Sequence, residues 1–135
     1  MTVLCTRDFF KKLGAPLKNH QWSWGAFHPE KKRLFLKVWT DEVIHENGRY
    51  FHILLKGEHR QSTTQLGAKE RLAQIDMIKQ GVQPYLVMCS CESNKSNTRK
   101  IKKVNQHNVF QAGEIIEKDG HLWIESLQPI AVDQL

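Results

Sequence analysis

Short strand-like segments separated by tight turns dominate this sequence of 135 residues. In Arg33–Trp39 the side chains alternate between two faces, and this two-residue period is typical of a β-strand. The dipeptides Asn47-Gly48 and Asp119-Gly120 favour two-residue hairpin turns, because these residue types tolerate the positive φ angles that such turns need. The pattern therefore predicts a fold in which strands outnumber helices.

Two segments predict helices. Thr6 is a suitable cap for a short first helix. A longer helix starts at Thr63 or Thr64, and Gly81 is the C′ residue that follows its end. The order along the chain is helix, two or three strands, helix, strand, basic segment, and two or three further strands. This order predicts the α+β class, as a small curved β-sheet or partly open β-barrel with one main packed helix and a short N-terminal helix. At this length we expect a single domain, residues 1–135.

The composition excludes several classes of protein. Hydrophobic residues make up 40% and charged residues 25% of the chain, which is typical of a globular domain, and the apolar runs are too short to span a bilayer. The N-terminus has no apolar segment of a signal peptide, and the three cysteines are an odd number. We therefore expect a cytoplasmic protein with reduced thiols and no membrane partner.

A basic balance points to a polyanionic partner. Lysine and arginine outnumber the acids by 20 to 14, giving a net charge of +6, and basic surfaces attract phosphates. The densest basic cluster contains Arg99, Lys100, Lys102 and Lys103. We predict that these four side chains hold the phosphates of a nucleic acid, the alternative being a solvated charged face.

Three tryptophans form the second candidate site. Trp22 and Trp24 would share one face of a predicted strand, and Trp39 lies in the next strand along the chain. Large aromatic residues are most often part of the core, but their flat rings also stack on bases or cage a ligand. We predict that the three rings bind a base, with Asn19 or Asp41 forming hydrogen bonds to the edge of that base.

Enzymatic activity is the alternative. A metal-dependent nuclease would need acids and histidines close together, and six of them lie between residues 41 and 59: Asp41, Glu42, His45, His52, Glu58 and His59. Their spacing matches no strong metal-binding or catalytic motif, and no nucleotide-binding motif is present. We therefore favour a non-catalytic domain with no cofactor and no bound metal, and keep a protein-interaction module without nucleic-acid affinity as a further alternative.

Over most of its length the chain resembles a family of small bacterial proteins and domains. The resemblance starts at residues 17–26, where the string Trp-Ser-Trp-Gly-Ala at residues 22–26 is the most distinctive part. It continues through Leu34–Glu42, Gly67–Leu72 and Arg99–Ile101. Members of this family are uncharacterised or are associated with restriction and HNH endonucleases. The resemblance implies a role in bacterial DNA restriction or defence, with DNA preferred over RNA and with a nuclease protein as a second partner.

The C-terminal half resembles the PUA-like superfamily, which includes EVE and YTH domains. Strand Val87–Cys91 leads into the basic stretch, and Val109–Glu114 and Leu122–Ile124 form a hairpin pattern. Domains of this superfamily are small curved barrels that hold a modified or flipped base in an aromatic pocket. The resemblance therefore implies a nucleic-acid-binding domain that reads a modified base, although the helix over Thr63–Gln80 departs from the pattern of the superfamily.

Overall fold

An open β-sheet connects the described parts of the chain, which are residues 4–19, 21–60, 65–91 and 101–135 of a computed structural model. These parts contain two α-helices, α1 (Thr6–Lys12) and α2 (Leu66–Lys79), and eight strands: β1 (Gly25–His28), β2 (Arg33–Trp39), β3 (Val43–Glu46), β4 (Arg49–Leu55), β5 (Gln83–Cys91), β6 (Ile101–Val104), β7 (Asn108–Lys118) and β8 (His121–Ala131). The order across the sheet is β1-β2-β5-β7-β8-β4-β3, and β6 pairs with the end of β5. The predicted α+β class with a curved, open sheet is confirmed.

Two hairpins close as the sequence predicts. Asn47 and Gly48 have φ angles of 52° and 77° between β3 and β4, and Asp119 and Gly120 have 54° and 79° between β7 and β8. Positive φ at both central residues matches the twist of the flanking strands. Both turns therefore follow from residue types that accept this backbone conformation.

Strand β2 has a parallel partner. It pairs antiparallel with β1 and parallel with β5, whereas the other strand pairs are antiparallel in the described residues. Parallel strands need a long connection, and the chain between β2 and β5 contains the β3–β4 hairpin and helix α2. This connection places the end of β4 and the start of α2 beside the end of β2.

Apolar side chains cover both faces of the sheet. On one face, Phe9 and Phe10 of α1 lie in one buried cluster with Phe35 of β2. On the other face, Leu36 of β2 lies in a second buried cluster with Ile75 of α2. Burial of one such side chain contributes about 1.5–3 kcal/mol. Hydrophobic contact therefore fixes one helix on each face.

The helix ends differ in part from the predictions. Thr6 is the first residue of α1 and not its cap, because the Phe9 N–H donates to the Cys5 carbonyl at 2.9 Å and the first turn closes one residue earlier. Helix α2 begins at Leu66, and the predicted start at residues 63–64 lies outside the described residues. Its end is as predicted, with Gly81 following at φ 104°. In the described part of the chain, no helix has the length and apolar character needed to cross a membrane.

Candidate functional site

A cavity of about 840 Å³ lies where the ends of β2 and β4 meet the start of α2. Trp22, Trp24 and Trp39 all line it, and each of these side chains is half-buried. Cavities that bind small molecules usually measure about 300–1,000 Å³ and are lined mainly by apolar and aromatic groups. The structure thus brings together the three rings that the sequence singles out, in a space of suitable size for a flat ligand.

Trp22 and Trp24 project from a loop. The prediction that they share a strand is wrong, since β1 begins only at Gly25. The side-chain oxygen of Asn19 accepts the backbone N–H groups of Gln21 at 2.8 Å and Trp22 at 3.3 Å. Such local bonds compete with the hydrogen-bond ladder of a sheet. Asn19 therefore shapes the loop, and it is not part of the cavity wall.

Glu70 of α2 anchors this loop. Its Oε2 accepts the Ser23 hydroxyl at 2.9 Å, and its Oε1 accepts the Trp24 backbone N–H at 3.0 Å. Ser23 is buried, so its hydroxyl depends on protein partners. Hydrogen bonds to an ionised group are roughly twice as strong as those between neutral groups. One carboxylate thus fixes the loop between Trp22 and Trp24 against the helix.

Arg71 joins three segments beneath the cavity. Its guanidinium donates to the carbonyls of Leu54 at 2.9 Å, Trp24 at 2.8 Å and Lys37 at 2.9 Å, and the side chain is only 2% exposed. The ends of β2 and β4 are not paired with each other, so this guanidinium supplies donors where a ladder would otherwise do so. Burial lowers the pKa of Arg71 to about 10, which still leaves the group charged at neutral pH.

Gly67 leaves room for the ring of Trp24. A Cβ atom at this position would lie 2.3 Å from Cε2 and Nε1 of that ring and 2.8 Å from the Trp22 carbonyl oxygen. The His59 ring meets Trp24 edge-on, with 5.6 Å between the ring centroids. Trp24 is therefore held between the first turn of α2 and His59.

Lys37 and Cys89 form a further part of the wall. The Lys37 ammonium donates to the Ser23 carbonyl at 2.8 Å, and burial lowers the pKa of Lys37. Burial raises the pKa of the Cys89 thiol to about 11, so this group is neutral at physiological pH. A neutral thiol is a weak nucleophile, and Cys89 thus contributes packing to the cavity.

An acid that lines the cavity is Glu42, the neighbour of the predicted Asp41. Asp41 is exposed and does not line the cavity, whereas Glu42 does, and it forms an ion pair with Lys56 at 2.9 Å. Glu58 also lines the cavity, with a largely exposed side chain close to His59. The acidic groups of the wall are therefore either paired or near solvent.

The predicted phosphate contacts lie along and before β6. Arg99 and Lys100 are outside the described residues, and Lys102 and Lys103 belong to the strand. Lys103 is exposed and lies opposite Ser90 in the register. Ile101, at the start of the same strand, lines the cavity. The strand that carries Lys103 thus starts at the cavity wall.

Several of the acids and histidines of residues 41–59 contact other side chains and do not converge on a common centre. The His45 ring stacks on Tyr50 with centroids 4.4 Å apart, and Glu42 pairs with Lys56. His52 is buried, which lowers its pKa. In residues 4–19, 21–60, 65–91 and 101–135, no three histidine, cysteine or acidic side chains lie in an arrangement that could hold a metal ion.

Sequence reasoning missed several side chains of the site, above all Glu70 and Arg71. A signal for Arg71 was present, because it shares a helix face with Ala68 and Ile75, both of which are buried. A charged residue in the apolar stripe of a helix needs buried partners. The pattern could therefore have indicated that Arg71 has a specific structural role.

Fold and site together define an α+β domain with an open sheet and a tryptophan-lined cavity. Comparisons with protein-family models, curated proteins and solved structures found no match for this chain.

Proposed function

We propose that this protein is a nucleic-acid-binding domain that reads a modified or flipped base. The observation that carries the proposal is the convergence of Trp22, Trp24 and Trp39 on one cavity of about 840 Å³. Stacking of one base on aromatic rings is worth about 1–3 kcal/mol. Extruding a base from a duplex costs a few kcal/mol, so stacking in the cavity offsets most of that cost.

The wall of the cavity also offers polar groups for the edge of a base. Glu42 and Lys56 present an acceptor and a donor side by side, and in this proposal they bind the edge of the base in place of Asp41. Apolar residues such as Ile53 and Leu55 lie in the same wall. A flat ligand with polar edges and apolar faces fits this combination better than a charged sugar or a flexible chain does.

The basic cluster supports a nucleic acid as the molecule that carries the base. Lys103 is exposed on a strand whose first residue, Ile101, lines the cavity. In this proposal Arg99, Lys100, Lys102 and Lys103 hold phosphates on either side of the flipped nucleotide. Such contacts give affinity that falls with salt, whereas the base contacts in the cavity give specificity.

The resemblances of residues 17–26 and of the C-terminal hairpin extend the proposal. They support DNA over RNA, a PUA-like reader, and a nuclease protein as partner in a bacterial restriction or defence system in the cytoplasm. In this account the domain selects the site by its modified base, and any cleavage belongs to the partner.

The test is a titration of the purified protein into labelled duplex and single-stranded oligonucleotides, with and without modified cytosine or adenine, at two salt concentrations. We expect tighter binding to one modified oligonucleotide, and we expect this preference to persist at the higher salt, since stacking is not screened. Equal, weak binding that disappears with salt would overturn the proposal. Absence of binding would do the same and would favour a protein-interaction module.

A further inference from the structure

Two cations of the cavity wall are held by carbonyl groups. Lys37 donates to the Ser23 carbonyl, and Arg71 donates to the carbonyls of Trp24, Leu54 and Lys37 itself. Among the residues that the structure describes, neither cation has a carboxylate within 4.0 Å. Carbonyl dipoles solvate a cation but do not cancel its charge, so both charges persist at the wall.

The acids near the cavity compensate these two charges only in part. Glu70 attracts both cations, but it is a single acid for two bases, and its oxygens accept from Ser23 and Trp24. The acids that line the cavity in the described part of the chain are Glu42, which pairs with Lys56, and Glu58, which is mostly exposed. Among the described residues, the two cations Lys37 and Arg71 therefore share the one nearby acid Glu70, and burial lowers the pKa of both cations.

The start of α2 adds to this positive field. Gln65, Leu66 and Gly67 line the cavity, and they include the cap and the first two residues of a 14-residue helix. The N–H groups of a first helical turn have no partner within the helix, and they favour negative charge. The first turn of α2 contains no acidic residue that would supply this negative charge.

We propose that the ligand places a negatively charged oxygen group in the cavity, beside Lys37, Arg71 and the start of α2. This inference rests on the proposed function and deepens it, because it specifies the chemistry of the nucleotide that is read. Two sources supply such a group: the phosphate of the flipped nucleotide, or a carboxylate carried by the modified base. An anion there would neutralise the excess charge and gain charge-assisted hydrogen bonds.

The experiment compares four soluble probes by the quenching of intrinsic tryptophan fluorescence, since three of the four tryptophans line the cavity. The probes are deoxycytidine, deoxycytidine 5′-monophosphate, 5-carboxy-deoxycytidine and inorganic phosphate. Hydrogen bonds to charged groups are worth about 1.5–3 kcal/mol, so an anionic nucleoside is expected to bind about 10- to 100-fold more tightly than deoxycytidine. Preference for the monophosphate identifies the backbone phosphate as the source of the negative charge. Preference for the carboxylate identifies the modified base as that source.

The variant Lys37→Met removes one cation and keeps the apolar length of the side chain. It is expected to abolish the preference for the anionic probes, measured as the ratio of their affinity to the affinity for deoxycytidine in the same variant. If the methionine variant does not fold, Lys37→Gln removes the charge and keeps a donor for the Ser23 carbonyl. The control is Lys69→Met, which removes an exposed charge from α2 outside the cavity wall.

The outcomes separate the two proposals. If deoxycytidine binds as tightly as its anionic forms, or if Lys37→Met keeps the preference, the inference is overturned and base reading stands. If inorganic phosphate binds in a Lys37-dependent way and no nucleoside binds, the anion site is supported and reading of a cytosine base is overturned. If none of the probes binds, the anion inference is overturned, and the oligonucleotide titration decides base reading by itself.

Discussion

The carboxylate of Glu70 holds the backbone of Trp24, with Oε1 accepting the Trp24 N–H at 3.0 Å. The same carboxylate binds the Ser23 hydroxyl, so one helical side chain fixes the loop that contributes two rings to the cavity. Trp22 and Trp24 lie outside the strands, and the backbone bond from the Lys37 N–H to the Trp24 carbonyl at 2.8 Å ties only the end of the loop to β2, so its shape also depends on these side-chain contacts. The positions of the Trp22 and Trp24 rings in the cavity thus depend on a contact with helix α2.

Glu70→Ala is expected to destabilise the protein and weaken its binding of nucleic acid. The substitution leaves the buried Ser23 hydroxyl without its acceptor, which costs about 1–3 kcal/mol. Urea denaturation measures this change, and Asp76→Ala, at an exposed acid on the same helix, is the control. A Glu70→Ala protein with the stability and base preference of the wild type would contradict the role of this contact.

Gly67→Ala is expected to displace the ring of Trp24, since the new methyl group would lie 2.3 Å from two of its atoms. Alanine favours a helix over glycine by about 1 kcal/mol, but overpacking costs about 1–3 kcal/mol. The variant is therefore expected to have a changed tryptophan emission spectrum and weaker binding. The control is Ala73→Gly at an exposed position of α2, which measures the effect of helix propensity alone on stability. An unchanged spectrum together with higher stability would show that the ring is not confined.

Arg71→Met is expected to be the most destabilising substitution in the site. It leaves three carbonyls without their charged donor, and a hydrogen bond to a charged group contributes about 1.5–3 kcal/mol. The loss is expected to exceed about 3 kcal/mol in a denaturant titration, and Lys69→Met provides the control at an exposed site. Near wild-type stability would indicate that water replaces the guanidinium at no cost.

Because His52 is buried, we expect the folded protein to lose stability in acid. This histidine is 7% exposed, its Nδ1 has no hydrogen-bond partner in the part of the chain that the structure describes, and burial lowers its pKa below 6.5. The unfolded chain then binds a proton at higher pH than the folded chain does, so the contribution of neutral His52 is full above pH 6.5 and is lost as the pH falls through the folded pKa. In His52→Gln this part of the pH dependence is expected to disappear, whereas His45→Gln, at an exposed histidine, should retain it. Identical slopes for wild type and His52→Gln would refute the assignment.

Local chemistry explains which features the sequence predicted well. Asn47-Gly48 and Asp119-Gly120 define their turns by themselves, and the two-residue period of Arg33–Trp39 gives the bounds of β2. Strand β3 was not predicted, because Val43–Glu46 is a short edge strand that mixes apolar and charged residues. Edge strands often have this composition, since charged groups deter pairing with other chains.

Long-range contacts explain what the sequence could not give. The tryptophans stood out by composition, but their convergence depends on the parallel pairing of β2 with β5 and on the bonds that Glu70 and Arg71 make to the loop. The hydrogen bonds to Trp24 and Lys37 join residues that are 34 to 47 positions apart in the sequence. The pattern of residues within a short stretch of sequence does not indicate contacts between such distant positions. Asp41 and Glu42 show the same limit, because neighbouring acids differ in whether they reach the cavity.

The measurement that tests the account most directly is the affinity for a modified duplex relative to the unmodified duplex, determined for the wild type and for Trp39→Leu. Leucine keeps an apolar side chain in the wall but cannot stack on a base. The control is Tyr50→Ala, which removes an aromatic ring that is 52% exposed and lies outside the cavity.

The account predicts that Trp39→Leu remains folded and loses most of the preference for the modified duplex, by about tenfold for each 1.4 kcal/mol of stacking. Tyr50→Ala should keep the preference of the wild type. If folded Trp39→Leu discriminates as well as the wild type, or if the wild type does not discriminate at all, the tryptophan-lined cavity is not a base-reading site.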